Sequence, residues 1–152
     1  MDLRTRINDA LKEAMRAKAA DRLSVLRLMN SAIKDRDIAA RGEGLPSPVA
    51  EDGVIAVLAR MVKQRQESAR AYDEAGRADL SGKERAEVEV IEEFLPRQLS
   101  PEEAEQAVAA AIAETGASSI KDMGRVMGAL KARYAGQMDF GAVGPLVKSR
   151  LG

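Results

Sequence analysis

Six basic residues in the last third of the chain form the most promising constellation for binding chemistry. These basic residues are Lys121, Arg125, Lys131, Arg133, Lys148 and Arg150. The only acidic residues beyond residue 120 are Asp122 and Asp139. Lys121 and Arg125 are four residues apart, so a helix would place them on one face. Cations grouped in this way can hold a nucleic-acid phosphate backbone. The whole chain has 24 basic and 24 acidic residues and no net charge, so the anion-binding surface is predicted to be local.

Paired carboxylates offer a second kind of chemistry. Glu84 and Glu87 lie close together on a predicted helix, where they could carry out acid–base chemistry or bind Mg²⁺. Lys63, Arg65 and Arg70 lie in the same predicted helical hairpin, so interhelical ion pairs are the favoured interpretation. The chain has no Cys and no His, which excludes thiolate zinc sites, cysteine nucleophiles and Ser-His-Asp triads. A Ser-Lys or carboxylate-only site stays open in principle, but no catalytic residue, metal ligand or cofactor is predicted.

Two glycines in the stretch K-D-M-G-R-V-M-G-A-L need an explanation. Gly124 and Gly128 share one face of a predicted helix. Each interior glycine costs a helix roughly 0.5–1 kcal/mol relative to alanine. Tight packing against another helix is the favoured explanation, and close approach of a phosphate–sugar backbone is the alternative. Met123 and Met127, with the same spacing, are predicted to belong to the core.

Apolar residues recur at helical spacing throughout the chain, and no alternating strand pattern competes with them. The sequence therefore predicts an all-α fold, with about four helices in residues 1–96 and three in residues 97–152. The clearest signal of a domain boundary follows Pro96, where Ser100 and Glu103 form an S-x-x-E capping box that would start a new helix. Charged residues make up 32% of the chain and aromatic residues 3%, which is typical of amphipathic helices with slim aliphatic seams.

Finer expectations follow for the N-terminal helices. The first helix is predicted to bury residues at four-residue steps, namely Leu3, Ile7, Leu11 and Met15. Asp21 is the predicted cap of the second helix. Two glycines and two prolines in residues 42–48 predict a mobile connection, after which Ser47 would cap the third helix with Pro48 at its first position.

Two expectations concern the C-terminal helices. Ser119 and Asp122 can cap the sixth helix, and Ile120 is predicted to begin its buried stripe. Asp139 can cap the last segment. Pro145 predicts either a kink there or a helix that begins only at residues 144–145.

The N-terminal residues contain no continuous apolar stretch of the kind found in signal peptides. No apolar run approaches the ~20 residues needed to cross a bilayer. The sequence therefore predicts a cytoplasmic protein with no membrane partner.

Short motifs spread over essentially the full chain resemble the GatB/YqeY family. In the first two thirds they are Lys63-x-Arg65, Ser68-x-x-x-Tyr72, Arg77-x-Asp79-Leu80, Glu84-x-x-Glu87 and Leu95-Pro96-x-Gln98-Leu99. In the last third they are Lys121-Asp122-Met123-Gly124, Val126-Met127-Gly128, Val147-Lys148 and Leu151. The resemblance implies a free-standing YqeY-type helical domain followed by a three-helix domain like the tail of GatB. GatB is the subunit of the tRNA-dependent amidotransferase that handles aminoacyl-tRNA.

The resemblance also implies a choice of functions. In the amidotransferase the tail region helps engage tRNA, which favours a non-catalytic, tRNA-associated accessory protein whose N-terminal domain holds another protein or extends the RNA contact. A carbon–nitrogen ligase activity with glutamine as amido donor is the alternative. That chemistry resides in a phosphorylating cradle domain and a separate glutaminase subunit, and neither appears in this sequence. A pure protein-interaction module is the third possibility, with amidotransferase subunits or an aminoacyl-tRNA synthetase as partners.

Overall fold

The computed structural model describes residues 2–134 and 136–152. Within them the chain forms seven α helices, one 3-10 turn and no strand, which confirms the all-α prediction. The elements are α1 (Leu3–Arg16), α2 (Ala20–Gly42), α3 (Glu51–Glu74), α4 (Ala78–Glu92), α5 (Pro101–Thr115), the 3-10 turn Ile120–Asp122, α6 (Met123–Tyr134) and α7 (Phe140–Leu151). No helix in this part of the chain is long and apolar enough to cross a membrane. The chain divides into an N-terminal unit that ends at Leu95 and a tail unit that begins at Pro96.

In the N-terminal unit, α1 to α4 enclose an aliphatic core. Its most completely buried large side chains are Ile7, Leu26, Met29, Leu58 and Ile91. The helices α3 and α4 pack along each other as a hairpin. Gly76 lies in the turn between them with a φ of +72°, a conformation that glycine adopts without steric cost, and it ends α3.

The first helix buries Ala14 rather than Met15, whose surface is 52% exposed. The prediction for Met15 was wrong because a four-residue step turns the helix by about 400°, or about 40° past a full turn. After three such steps from Leu3 the chain has drifted by about 120°. Ala14, eleven residues after Leu3, has returned to within about 20° of it and therefore faces the core.

An ion pair at the side of the N-terminal unit holds the segment between α2 and α3. The guanidinium of Arg4 donates two parallel hydrogen bonds to the Asp37 carboxylate at 2.8 and 2.9 Å. The same carboxylate accepts from the Val49 backbone N–H at 2.8 Å, and Arg4 donates to the Val49 carbonyl oxygen at 3.0 Å. These two donors, Arg4 first, lower the pKa of Asp37. The connection that the sequence predicts to be mobile is thus tied to both α1 and α2.

Two predicted helix caps are wrong. Ser47 does not cap α3, because its hydroxyl donates to the Asp37 carbonyl oxygen at 2.9 Å and the helix begins only at Glu51, after Ala50. Asp21 does not cap α2 either, since the helix begins at Ala20 and Asp21 lies within its first turn. There its negative charge still faces the positive end of the helix dipole.

In the tail unit, α5, α6 and α7 enclose a second, smaller core. Its buried members are Ala107, Val108, Ala111, Val126, Leu130, Val143 and Val147. The helix α7 is continuous from Phe140, although it contains Pro145, so the predicted start at residues 144–145 is wrong. Its true start is set by Asp139, whose carboxylate accepts from the Gly141 N–H at 2.9 Å. The prediction that Ile120 begins the buried stripe of the sixth helix is also wrong, because Ile120 lies in the 3-10 turn and is 48% exposed.

The predicted capping box at the start of α5 is present. Ser100 accepts from the Glu103 N–H at 3.2 Å, and the Glu103 carboxylate accepts from the Ser100 N–H at 3.0 Å. Arg97 adds a bidentate ion pair to the same carboxylate at 2.8 and 2.9 Å. The hydrogen bonds from Arg97 and then from Ser100 lower the pKa of Glu103 to about 2. Glu103 therefore links the chain before α5 to the first turn of the helix.

We expect Glu103 to make the tail less stable in acid. Its pKa is lower in the folded chain than in the unfolded chain, so its contribution is complete above the ordinary glutamate pKa and is lost as the pH falls toward 2. Glu103→Gln should flatten the pH dependence of unfolding over that interval. The chain has two tyrosines, so in a Tyr72→Phe background the fluorescence of Tyr134 follows the tail alone during urea unfolding.

The matched control for this measurement is Glu102→Gln. Glu102 lies beside Glu103 in the first turn of α5 and is exposed. Its variant should keep the acid dependence of the parent chain. Equal flattening in both variants would contradict the role assigned to Glu103.

Candidate nucleic-acid interface

The two glycines of α6 face open space. A methyl group built on Gly124 or Gly128 would meet no atom within 4 Å outside the local helix backbone. Both positions are exposed, while Val126 and Leu130 on the opposite side are buried. The favoured explanation from the sequence, tight packing against another helix, is therefore wrong. Met123 and Met127 are partly buried against the tail core, as predicted.

The same side of α6 carries cations. Gly124, Gly128 and Lys131 lie within about 60° of one another around the helix axis, because they are four and three residues apart. Arg125 borders this surface, and Lys121 lies in the turn just before the helix. We call these five residues the α6 face. The helix itself contains no Asp or Glu.

Arg125 is held in place by groups at the start of α6. Its guanidinium lies 2.5 Å from the Asp122 carboxylate and donates to the Thr115 carbonyl oxygen at 3.2 Å. The backbone N–H of Ser118, first, and then Arg125 lower the pKa of Asp122. The charge of Arg125 is thus largely compensated by its neighbour, although its side chain is exposed and keeps further donors free for an incoming anion.

Arg133 does not belong to the α6 face. It lies on another side of the helix and forms an ion pair with Glu114 of α5 at 3.2 Å, which raises the pKa of Arg133. The pair borders a groove of about 380 Å³ between α5 and α6. Four alanines, with Leu130 and Tyr134, line the rest of that groove: Ala107, Ala111, Ala129 and Ala132.

Lys148 and Arg150 are exposed residues of α7. They are two residues apart and so project from different sides of that helix. The C-terminal end of α7 lies beside the 3-10 turn, since a methyl group on Gly152 would stand 3.6 Å from the Ile120 side chain. Lys148 therefore lies toward the same end of the tail unit as Lys121. Of the described residues, none forms an ion pair with Lys121, Lys131, Lys148 or Arg150.

The two carboxylates of α4, Glu84 and Glu87, do not act as a pair. Glu87 forms an ion pair with Arg65 of α3 at 3.4 Å, and the two side chains are 16% and 15% exposed. The interpretation of this hairpin as an interhelical ion-pair network is confirmed at that position. Glu84 is not part of this pair, and no cluster of three or more carboxylates suited to a metal ion occurs among the described residues.

The comparison with known families agrees with this architecture. A sequence profile of the family described as Yqey-like protein matches residues 4–151. The chain belongs to the YqeY-like family. The match covers both units of the fold, so the YqeY-like sequence includes the α6 face as well as the N-terminal helices.

Curated yeast proteins are similar to this YqeY-like chain over part of its length. The protein named Altered inheritance of mitochondria protein 41, mitochondrial, from Lachancea thermotolerans is 32% identical over 95 residues, which is 62% of this chain and 49% of that protein. The proteins of the same name from Saccharomyces cerevisiae strain YJM789 and Vanderwaltozyma polyspora are 31% and 32% identical over 85 residues, or 56% of this chain and 44% of each. The chain thus spans less than half the length of these relatives.

We expect Gly124→Ala and Gly128→Ala each to stabilise the tail unit by roughly 0.5–1 kcal/mol, because alanine is the better helix former and open space receives the added methyl group. Urea unfolding followed by Tyr134 fluorescence in the Tyr72→Phe background measures the change. Gly82→Ala is the control, since Gly82 lies in α4 with equally open surroundings. It should leave the Tyr134 transition unchanged. A less stable tail in either α6 variant would contradict the open geometry.

Proposed function

We propose that this YqeY-like protein is a non-catalytic accessory protein that binds tRNA through its tail unit. The observation that carries the proposal is the α6 face, where two open glycines lie among cations on a helix without a carboxylate. Glycine lets a bulky chain approach the helix backbone closely, and the lysines supply charge for phosphates.

Gly124 and Gly128 weaken α6, the helix in which they lie. Together they cost the tail roughly 1–2 kcal/mol relative to alanine, and no contact among the described residues explains them. Close approach of a sugar–phosphate backbone would explain both their position and their exposure. Tyr134 and Phe140 are partly buried in the tail core, so recognition through shape and backbone is favoured over stacking of single-stranded bases.

The resemblance of the last third to the tail of GatB supports tRNA as the ligand, because that tail helps engage tRNA in the amidotransferase. The amide-transfer activity itself lies outside this function, since the cradle domain and the glutaminase subunit that carry it in the amidotransferase have no counterpart in this sequence. The cytoplasm is the location that we propose. The word mitochondrial in the names of the yeast relatives refers to those proteins.

A protein partner is the second candidate, and one feature of the N-terminal unit favours it. A groove of about 680 Å³ runs between α2 and α4, and Leu28, which is 46% exposed, lines it. An aminoacyl-tRNA synthetase or amidotransferase subunits are the partners in question. Binding of such a purified protein that survives RNase treatment and is lost in Leu28→Glu would favour this candidate.

The charge of the α6 face can be tested by titrating labelled tRNA over a series of salt concentrations. We expect Lys121→Glu combined with Lys131→Glu to weaken binding by roughly tenfold or more and to reduce the slope of log K against log salt by about two, one for each lost phosphate contact. Arg60→Glu combined with Arg70→Glu changes the net charge equally on exposed residues of α3. Equal losses in both double variants, or no tRNA binding by the parent chain at low salt, would contradict the proposal.

Close approach to α6 can be tested separately with Gly128→Leu. Leucine is a good helix former, so the tail should stay folded while its bulky side chain blocks the surface. We expect tRNA affinity to fall roughly tenfold with little change in the salt slope, because no phosphate-binding charge is removed. Gly82→Leu in α4 is the steric control and should bind as the parent chain does. Unchanged binding by the Gly128→Leu variant would limit the interaction to the lysines.

A further inference from the structure

A row of cations follows the solvent side of α2 in the N-terminal unit. Arg27, Lys34 and Arg41 are seven residues apart, so they lie within about 40° of one another around the helix axis, about 10.5 Å from one to the next and about 21 Å overall. All three are exposed. Ser31 and Ile38 are the exposed residues on the same side of the helix between these cations, and Ser24 lies one turn before Arg27. We call this row of three cations the α2 ridge.

The charge of the α2 ridge is not compensated by carboxylates along its own helix. No Asp or Glu lies three or four residues from Arg27. Asp37 is the one carboxylate at that spacing from Lys34 and from Arg41, and its oxygens accept from Arg4 and Val49. Arg41 contributes a minor part to the lowered pKa of Asp37.

Other carboxylates near this part of α2 are similarly engaged or lie to the side. Glu43 pairs with Arg36 at 3.3 Å. Asp35 follows Lys34 directly and so projects about 100° away from it. Within the described residues, the side chains of Arg27 and Lys34 form no ion pair or hydrogen bond.

One row on α3 has a different character, although Lys63 and Arg70 of another row on that helix are both basic. Arg60, Glu67 and Glu74 have the same seven-residue spacing on a helix of similar length, and two of the three are acidic. A solvated face with mixed signs of this kind is the ordinary pattern for an exposed helix. The α2 ridge departs from it by keeping one sign over its whole length.

The chemistry of the α2 ridge selects among possible ligands. Helices that lie on a membrane bury a broad apolar face, but α2 turns its apolar side to the core and exposes only two large apolar residues, Leu28 and Ile38. A stable protein interface needs a desolvated cluster of anchors, which a row of serines and separated cations does not provide. A nucleic-acid duplex carries about one phosphate per 1.7 Å of its axis, so a surface about 21 Å long can meet several of them.

We propose that the α2 ridge is a second RNA-binding surface, which contacts the phosphate backbone of double-helical RNA through Arg27, Lys34 and Arg41. Ser31 leaves room for the duplex backbone between Arg27 and Lys34, and the longer side chains of Lys34 and Arg41 extend past Ile38 to reach phosphates. This surface lies on the N-terminal unit and uses residues independent of the α6 face, so it stands or falls separately from the function proposed for the tail.

The test uses the full-length chain and a labelled RNA duplex of about 16 base pairs, the span that double-stranded RNA-binding domains cover. In the ridge variant, Arg27→Gln, Lys34→Gln and Arg41→Gln remove the charges and keep side chains that favour helices. We expect the slope of log K against log salt to fall by about two to three and the affinity at moderate salt to fall roughly ten- to a hundredfold.

The control variant combines Arg60→Gln, Arg70→Gln and Lys83→Gln. These residues are exposed in the same unit, and the change in net charge is identical. Circular dichroism and urea unfolding establish that both triple variants are folded. Equal losses of affinity in the two variants would overturn the α2 ridge, because net charge alone would then account for binding. An unchanged ridge variant would overturn it as well.

Two further outcomes separate this inference from the tail. If the Lys121→Glu/Lys131→Glu variant loses duplex binding and the ridge variant keeps it, the α6 face stands and the α2 ridge falls. If the ridge variant loses binding and the tail variant keeps it, the α2 ridge stands alone. Binding of the parent chain to phosphatidylserine vesicles without binding to the duplex would overturn the assignment of RNA as the ligand.

Discussion

Pairing between carboxylates and arginines decides which cations of this neutral chain remain available to an outside anion. Asp37 engages Arg4, and Glu87 engages Arg65, so these charges hold helices together. In the tail, the ion pair of Glu114 removes Arg133 from the candidate interface. The described cations without an ion pair include those of the α2 ridge on one unit and the lysines of the α6 face on the other. Both surfaces are therefore consequences of how the fold uses its acidic residues, rather than of an excess of basic ones.

Helix geometry gives these two surfaces a common design. Each combines long cations with small exposed residues, which are two glycines on α6 and Ser31 on α2, although the α2 ridge also exposes Ile38. The α6 glycines weaken their helix and the α2 serines are only moderate helix formers. In each case the opposite side of the same helix supplies aliphatic residues to a core, such as Val126 and Met29. Packing thus supports the helices that the exposed residues alone would leave marginal.

Local chemistry explains which structural predictions held. The capping box of Ser100 and Glu103 depends on residues three apart in sequence, so no tertiary information is needed to find it. The cap predicted at Ser47 failed because its hydroxyl donates to the Asp37 carbonyl oxygen, ten residues earlier. The cap predicted at Asp21 failed because α2 begins one residue before it, without a side-chain cap. The prediction for Met15 failed for a simpler reason, since a four-residue step is longer than one helical turn and the error accumulates.

The sequence by itself determined the helical fold, the two-part organisation of its apolar seams and the positions of every cation along each helix. The seven-residue spacing of the α2 ridge was readable there, but its meaning depended on Asp37 being engaged by Arg4, a residue 33 positions away. Only the tertiary structure decided that Gly124 and Gly128 face open space and that Arg133 is turned toward α5. Periodicity fixes the angle between two residues on one helix, whereas burial and ion pairing depend on which side chains of the neighbouring helices lie against them.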